Sequence, residues 1–238
     1  MTIKLKLIGI IAISLISIFL NIFIVSYMLS KSAELQTTKT YIYELDSDMK
    51  TLTMNSMDFI DLKTSKFEKD FLANYKIMSD DLQSFKAALE ALDVESESVD
   101  KVIQDTAEYK KSFQEIVKIQ KQIGYTQKEG LNSLLSKAVK KAEINAKQLQ
   151  DQDIFSMVLT LINIEKSFKL SHDKKYLKKF KRSYNALVYY IDQSDKDVTA
   201  IKKNLAEYKD HFTAYVKAKE KKGFDSTKGL LGNMNIIM

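Results

Sequence analysis

The chain contains no proline, no cysteine and no tryptophan among its 238 residues, and it has only six glycines. An average protein of this length would carry roughly a dozen prolines. Without cysteine, a disulfide, a thiol nucleophile and a thiolate metal site are all excluded. The shortage of glycine and proline excludes collagen-like and low-complexity chains, and it argues against β-sandwiches and barrels, whose many turns need these residues. The composition therefore predicts an all-α protein with long helices and short connections.

Charged residues are abundant but nearly balanced in sign. There are 37 lysines and arginines against 31 acidic residues, which leaves a net charge of +6. Such a small excess is not typical of a dedicated nucleic-acid binder, so we expect no nucleic-acid partner. The two histidines, His172 and His211, have no second ligand at metal-binding spacing, and no nucleophile–base pair or phosphate-binding loop is recognisable. We therefore predict no enzymatic activity, no cofactor and no metal.

The N-terminal region contains an apolar segment, Leu7–Leu29, with no charged residue. At 1.5 Å per residue a helix of this length would be about 35 Å long, enough to cross a bilayer. The segment is longer than the apolar region of a signal peptide, although cleavage stays open as an alternative. Lys4 and Lys6 precede the segment, which favours a cytoplasmic location for the N-terminal residues 1–6. We predict an uncleaved single-pass anchor in the cell membrane, with residues 31–238 outside the cytoplasm.

The predicted extracytoplasmic part contains an internal duplication. Segment Lys66–Phe71, KFEKDF, resembles Asn163–Phe168, NIEKSF, at an offset of 97 residues. A second block matches at an offset of 99, where Ala107–Phe113 resembles Ala206–Phe212. Further along at the same offset, IGYTQKEGL at Ile123–Leu131 matches KGFDSTKGL at Lys222–Leu230. The apolar residues of the matching blocks recur every three or four positions, which predicts helices that each bury one face.

The duplication predicts an elongated bundle of two three-helix units, at about 31–127 and 128–228. The predicted helices are Lys31–Asn74, Asp80–Leu92 and Glu95–Gln122 in the first unit, and Lys128–Ser171, Lys174–Ile191 and Asp195–Lys222 in the second. Gly124 and Gly223 are expected to end helices, and Gly130 and Gly229 to lie where the next helices begin. Residues 229–238 look like the start of a further helix. We therefore expect a fragment of a longer protein, the alternative being a short C-terminal helix.

An anchor followed by EKxF helices and repeated glycine turns resembles a known family. The segments EKDF at Glu68–Phe71, EKSF at Glu165–Phe168 and IGYTQKEGL at Ile123–Leu131 are similar to the N-terminal part of bacterial methyl-accepting chemotaxis receptors with a helical bimodular sensor domain. The resemblance implies a ligand-sensing domain that binds small molecules, often organic acids, between helices and acts as a homodimer. It also implies a second membrane helix and a cytoplasmic signalling half, which this sequence lacks.

The resemblance directs attention to the residues before each EKxF segment. The family favours arginines there, whereas this chain has Ser65 and Lys66 in the first unit and Ile162 and Asn163 in the second. We take Lys66, Lys69 and Asn163 as candidate ligand-binding residues. In the alternative interpretation, the Glu-Lys pairs at 68–69 and 165–166 flank a helix seam and pair with neighbouring helices. The phenylalanines that end the two segments, Phe71 and Phe168, are expected in the core.

Three further alternatives stay open. The segment His172–Arg182 has six basic residues in an amphipathic pattern, which indicates a solvated helix face or an anion-binding surface. The whole chain could instead be a membrane-tethered helical spacer without a ligand. It could also be the sensor half of a histidine kinase.

Overall fold

A computed structural model describes residues 34–237 of the chain. Within that range every regular element is a helix and no strand occurs, which confirms the predicted all-α class. The helices are α1 (Glu34–Leu62), α2 (Ser65–Glu90), α3 (Glu97–Ile123), α4 (Gly130–Gln148), α5 (Gln152–Ser171), α6 (Lys174–Asp192), α7 (Thr199–Lys222) and α8 (Gly229–Ile237). None of these described helices is long and apolar enough to span a membrane. The predicted anchor at 7–29 and the cytoplasmic residues 1–6 lie outside the described residues.

The chain divides into two compact units. Among the described residues, the first comprises 34–117 together with 230–237, and the second comprises Lys118–Gly229. Helix α3 begins in the first unit, and its last residues belong to the second.

In the first unit, α1 and α2 pack against each other as a helical hairpin. An aromatic cluster lies in the core between α1, α2 and α3. The Phe71 ring stacks on Phe113 with centroids 3.8 Å apart, and Phe59 meets Phe113 edge-on at 5.2 Å. All three rings are fully buried, so this cluster closes the hairpin against α3.

The structure interrupts the predicted helix Lys31–Asn74. Lys63 adopts a left-handed conformation with φ of 52°, and its amide donates to the Phe59 carbonyl at 2.8 Å. This turn ends α1 at Leu62 and lets α2 start at Ser65. Helix α2 then continues to Glu90, so the predicted separate helix Asp80–Leu92 is the second half of a longer one.

The second unit contains four helices, α4 to α7, and the end of α3. Here the predicted helix Lys128–Ser171 is also divided, because Gln150 has a φ of 51°. Asp151 then caps α5, accepting hydrogen bonds from the amides of Asp153 at 3.1 Å and Ile154 at 3.0 Å. Such a cap satisfies amides that a new helix leaves without partners. The bundle pairs α4 with α7 and α5 with α6, while α4 also contacts α5.

The two glycine turns adopt the same backbone geometry. Gly124 follows α3 with a φ of 101°, and Gly223 follows α7 with a φ of 107°. Six residues later, Gly130 and Gly229 begin α4 and α8 with φ values of 52° and 59°. The predicted positions of these four glycines at helix ends and starts are confirmed.

Two consecutive hydrogen bonds link the end of α7 to the turn at Gly124 within the second unit. The buried Lys222 ammonium donates to Gln120 Oε1 at 2.6 Å, and Gln120 Nε2 donates to the Gly124 carbonyl at 2.9 Å. Burying an ammonium group costs free energy unless its N–H groups form hydrogen bonds. These two hydrogen bonds therefore stabilise the packing of the end of α7 against the turn.

Candidate ligand-binding site

Lys66 and Lys69 lie one turn apart near the start of α2, and both side chains are exposed. Residues three apart are neighbours on a helix surface, so the two ammonium groups belong to one patch. Neither forms an ion pair with a described residue, although the Lys66 ammonium lies 5.6 Å from the centre of the Phe67 ring. The patch can donate hydrogen bonds to a carboxylate or phosphate, but as point charges without a planar fork.

Asn163, the third candidate, is exposed on α5 in the second unit. Its backbone carbonyl accepts a hydrogen bond from Ser167 Oγ at 2.8 Å. The structure therefore brings Lys66 and Lys69 together on α2, while Asn163 belongs to the other unit. Asn163 can both donate and accept hydrogen bonds, which the two lysines cannot.

A buried carboxylate, that of Glu165, lies two residues after Asn163 on α5. Its side chain sits inside the second unit with 3% of its surface exposed. The Tyr208 hydroxyl of α7 donates to Glu165 Oε2 at 2.9 Å, and the Lys169 ammonium lies 2.7 Å from Oε1. The alternative interpretation of the sequence has Glu165 flanking a helix seam, whereas the structure buries its side chain in the core. Its pairing with a neighbouring helix agrees with the alternative interpretation.

The surroundings of Glu165 oppose any further negative charge. Burial and the Glu165 carboxylate raise the pKa of Tyr215 to about 12, and the same two causes raise the pKa of Tyr208. The Lys169 ammonium lies 5.2 Å from the centre of the Tyr215 ring, where a cation is attracted by the aromatic face. The cluster is therefore internally compensated: one carboxylate, one ammonium and two neutral phenols.

The equivalent position in the first unit is built differently. Tyr109, which matches Tyr208 in the repeat, shares a hydrogen bond with the Ser56 hydroxyl and not with Glu68. Burial raises the pKa of Tyr109 to about 12, while the Ser56 hydrogen bond opposes that shift. The two repeated tyrosines thus anchor a neutral cluster in one unit and an ionic cluster in the other.

Aromatic rings surround the end of α5 beside the ionic cluster. Phe168 meets Phe212 edge-on at 5.6 Å, and His172 stacks on Phe224 at 5.2 Å. Burial and the nearby Lys219 ammonium lower the pKa of His172, which favours its neutral form. Among residues 34–237, no group of three histidine or carboxylate side chains is placed to hold a metal ion.

A second acidic feature lies in the first unit, between α1 and α2. Asp48 Oδ2 is buried without a hydrogen-bond partner. Burial, the neighbouring Asp81 carboxyl and the charge of Glu44 raise the pKa of Asp48 to about 6. Sequence reasoning missed this pair, because Asp81 is distant in the chain and only the hairpin brings it close.

We expect Asp48→Asn to stabilise the first unit at pH 7 by about 1 kcal/mol, after allowance for the partial exposure of the group. Because folding raises this pKa, the folded chain keeps the proton that the unfolded chain loses. The loss of stability that Asp48 causes is therefore absent below about pH 4, grows as the pH rises, and is complete above about pH 6. Urea unfolding from pH 4 to pH 7 measures it. Asp61→Asn, at an exposed position of α1, is the control, and equal effects of both variants would contradict the prediction.

No family model, no curated protein and no solved structure matches the chain. The function proposed below therefore depends on the residues of this chain and on the resemblance of its repeated segments.

Proposed function

We propose that the chain is the extracytoplasmic ligand-sensing region of a membrane-anchored chemotaxis signal transducer. The observation that carries the proposal is the order of its parts: the uncharged apolar segment Leu7–Leu29, then an all-helical region in which one glycine turn occurs twice. In this proposal the apolar segment anchors the chain in the cell membrane, and the bulk of the chain lies outside the cytoplasm. The region acts by binding, not by catalysis.

The proposal includes two duplicated units. The matching geometry of the turns at Gly124 and Gly223, and the matching tyrosines Tyr109 and Tyr208, support a duplication within the helical region. The packing partners of the two tyrosines differ, so one unit has kept a different polar core. Divergence of this kind would allow one unit to bind a ligand while the other supports it.

The proposed ligand is a small anion such as an organic acid. Lys66 and Lys69 are the candidates to hold it in the first unit, and Asn163 is a separate candidate in the second unit. Binding that favours one arrangement of the helices shifts the population toward it, by no more than the difference in affinity between the two arrangements. Helix shifts of about 1–2 Å are the usual size of such transitions. Helices without proline transmit a displacement along their axis without a kink. A homodimer, with a second copy of the chain in the same membrane, would be the signalling form.

A second candidate function is a membrane-tethered helical spacer without a ligand. The observation that favours it is the exposure of Lys66, Lys69 and Asn163, because exposed lysines hold an anion weakly. The two functions differ in one measurable respect, which is whether any small molecule stabilises the folded chain.

We expect an organic acid from a metabolite panel to raise the melting temperature of the full chain, reconstituted in phosphatidylcholine nanodiscs. A ligand at 100 times its dissociation constant adds about 2.7 kcal/mol, which corresponds to a shift on the order of 5–10 °C. The variant Lys66→Gln/Lys69→Gln should lose most of this shift. The control is Lys137→Gln/Lys140→Gln, which removes two exposed lysines with the same spacing from α4.

Three outcomes separate the possibilities. A shift that is lost only in the Lys66/Lys69 variant supports the sensor and its site. A shift that both variants keep would contradict the assignment of the two lysines. The absence of any shift across organic acids, amino acids and sugars would favour the spacer.

A further inference from the structure

Helix α6 has two faces of opposite character. Phe180, Leu187 and Ile191 are buried on the inner face, where α6 packs against α5 and, less extensively, α7. The outer face carries six exposed basic side chains within its first nine residues: Lys174, Lys175, Lys178, Lys179, Lys181 and Arg182. At about 100° per residue these six fall within an arc of about 160°. We call this surface the α6 basic face.

Most of this charge is not neutralised. Lys174 pairs with Glu220 at 3.4 Å, and Lys175 pairs with Asp173 at 2.9 Å. Lys178, Lys181 and Arg182 form no ion pair with any residue that the structure describes, while the Lys179 ammonium lies 5.6 Å from the Tyr176 ring. Four cations are therefore available to an external anionic partner.

The shape of the α6 basic face indicates what kind of anion fits it. The side chains project from a convex helix surface about 12 Å long, so they diverge and cannot converge on one small ion. An array of separate phosphates, each meeting one or two ammonium groups, satisfies such a surface. Five of the six cations are lysines, whose flexible point charges suit a fluid array better than a fixed bidentate geometry.

Two large apolar side chains are exposed before and after the basic residues in the sequence. Leu170, at the end of α5 and four residues before Lys174, is 86% exposed. Tyr189 is 71% exposed and falls within the same arc of α6 as the basic residues. Aliphatic and tyrosine side chains beside lysines are typical of surfaces that settle at the boundary between lipid headgroups and acyl chains.

We propose that the α6 basic face binds the surface of a bilayer that contains anionic phospholipids. Positive charge matched to headgroup phosphates supplies the attraction, and Tyr189, within the same arc, contacts the boundary between headgroups and acyl chains. The membrane anchor of the proposed function would raise the local lipid concentration, but the binding itself does not require that anchor. The docked state would hold α6 at the bilayer and make its position depend on lipid charge.

The absence of cysteine permits a specific test on the full chain. A single cysteine replacing Asn185, an exposed residue on the same arc, carries an environment-sensitive fluorophore. The labelled chain, in phosphatidylcholine nanodiscs, is titrated with vesicles in which phosphatidylglycerol makes up roughly a third of the lipid. We expect a saturable rise in fluorescence that vesicles of pure phosphatidylcholine do not produce. Raising the salt from about 0.1 M to about 1 M should abolish the rise, because the Debye length falls from about 10 Å to about 3 Å.

Matched variants decide whether the face is responsible. Each cation at an anionic surface contributes about a fivefold factor in affinity, so Lys178→Gln/Lys181→Gln should weaken binding about 25-fold. Lys137→Gln/Lys140→Gln removes the same net charge from α4 and should leave the affinity within about twofold, because charge away from the contact is screened. A label on Ser136→Cys in α4 should not respond.

The remaining outcomes overturn the proposal. Equal weakening in both double variants would mean that net charge, and not the α6 basic face, drives binding. A fluorescence response to duplex DNA at a lower phosphate concentration than to the vesicles would assign the face to nucleic acid.

Retention of the chain in pure phosphatidylcholine nanodiscs reports on the anchor alone, so failure of the proposed function is distinguishable from failure of this proposal.

Discussion

Replacing Phe168 by alanine should destabilise the second unit by about 4 kcal/mol. The ring is fully buried and packs edge-on against Phe212, Phe224 and His172 at 5.6, 5.9 and 6.2 Å. Removing a buried phenylalanine forfeits its transfer free energy and leaves a cavity, which together cost about 3–5 kcal/mol. Because the neighbouring rings are rigid and hold one another in place, we expect little collapse into that cavity. Urea unfolding of the full chain, followed by circular dichroism, measures the loss.

The control lies two residues away on the same helix. Leu170 is 86% exposed, so Leu170→Ala should change the stability by less than about 0.5 kcal/mol. Both variants shorten an apolar side chain near the end of α5, and they differ in which face carries it. Comparable destabilisation by the two would mean that the aromatic cluster is not the core of the unit.

The helical class and the buried stripes could be predicted because both depend on local pattern. Apolar residues that recur every three or four positions must share one helix face. Phe71 and Phe168, expected in the core on that basis, are fully buried. The glycine turns could also be predicted from the sequence, because a position such as Gly223, with a φ of 107°, strongly favours a residue without Cβ.

The interruptions at Lys63 and Gln150 could not be predicted in the same way. Both residues adopt a left-handed conformation with φ near 50°, which ordinary side chains seldom do, so neither residue type signals a turn. A weaker signal was present at Asp151, because aspartate is a favoured N-cap and does cap α5. Tertiary packing overrides the helical pattern at both points.

The polar clusters escaped prediction because they join distant parts of the chain. Glu165 and Tyr208 are 43 residues apart, and only the packing of α5 near α7 brings them to 2.9 Å. Tyr208 lies on a predicted stripe, but nothing local indicates that its hydroxyl requires a buried acceptor.

The second large effect is expected at the glycine turn that ends α7. A Cβ on Gly223 would lie 2.0 Å from the Lys228 carbonyl oxygen, and the residue's φ of 107° disfavours any side chain. The obstructing atom is backbone, so relief requires the whole turn to shift. We expect Gly223→Ala to destabilise the unit by about 3 kcal/mol, as the sum of conformational strain and lost packing. Lys221→Ala, exposed in the last turn of α7, should cost less than about 0.5 kcal/mol.

The matching turn gives this prediction a second, sharper form. A Cβ on Gly124 would lie 2.3 Å from the Glu129 carbonyl oxygen, so Gly124→Ala should cost about as much as Gly223→Ala. The hydrogen bonds from Lys222 to Gln120 and from Gln120 to the Gly124 carbonyl connect the two sites. Once one turn has shifted, these hydrogen bonds are already weakened, so the second substitution removes less stabilising free energy. The double variant should therefore be less destabilised than the sum of the single variants, by at least about 0.5 kcal/mol. Strict additivity in urea unfolding would mean that the two turns are independent and that the buried Lys222 contact does not couple them.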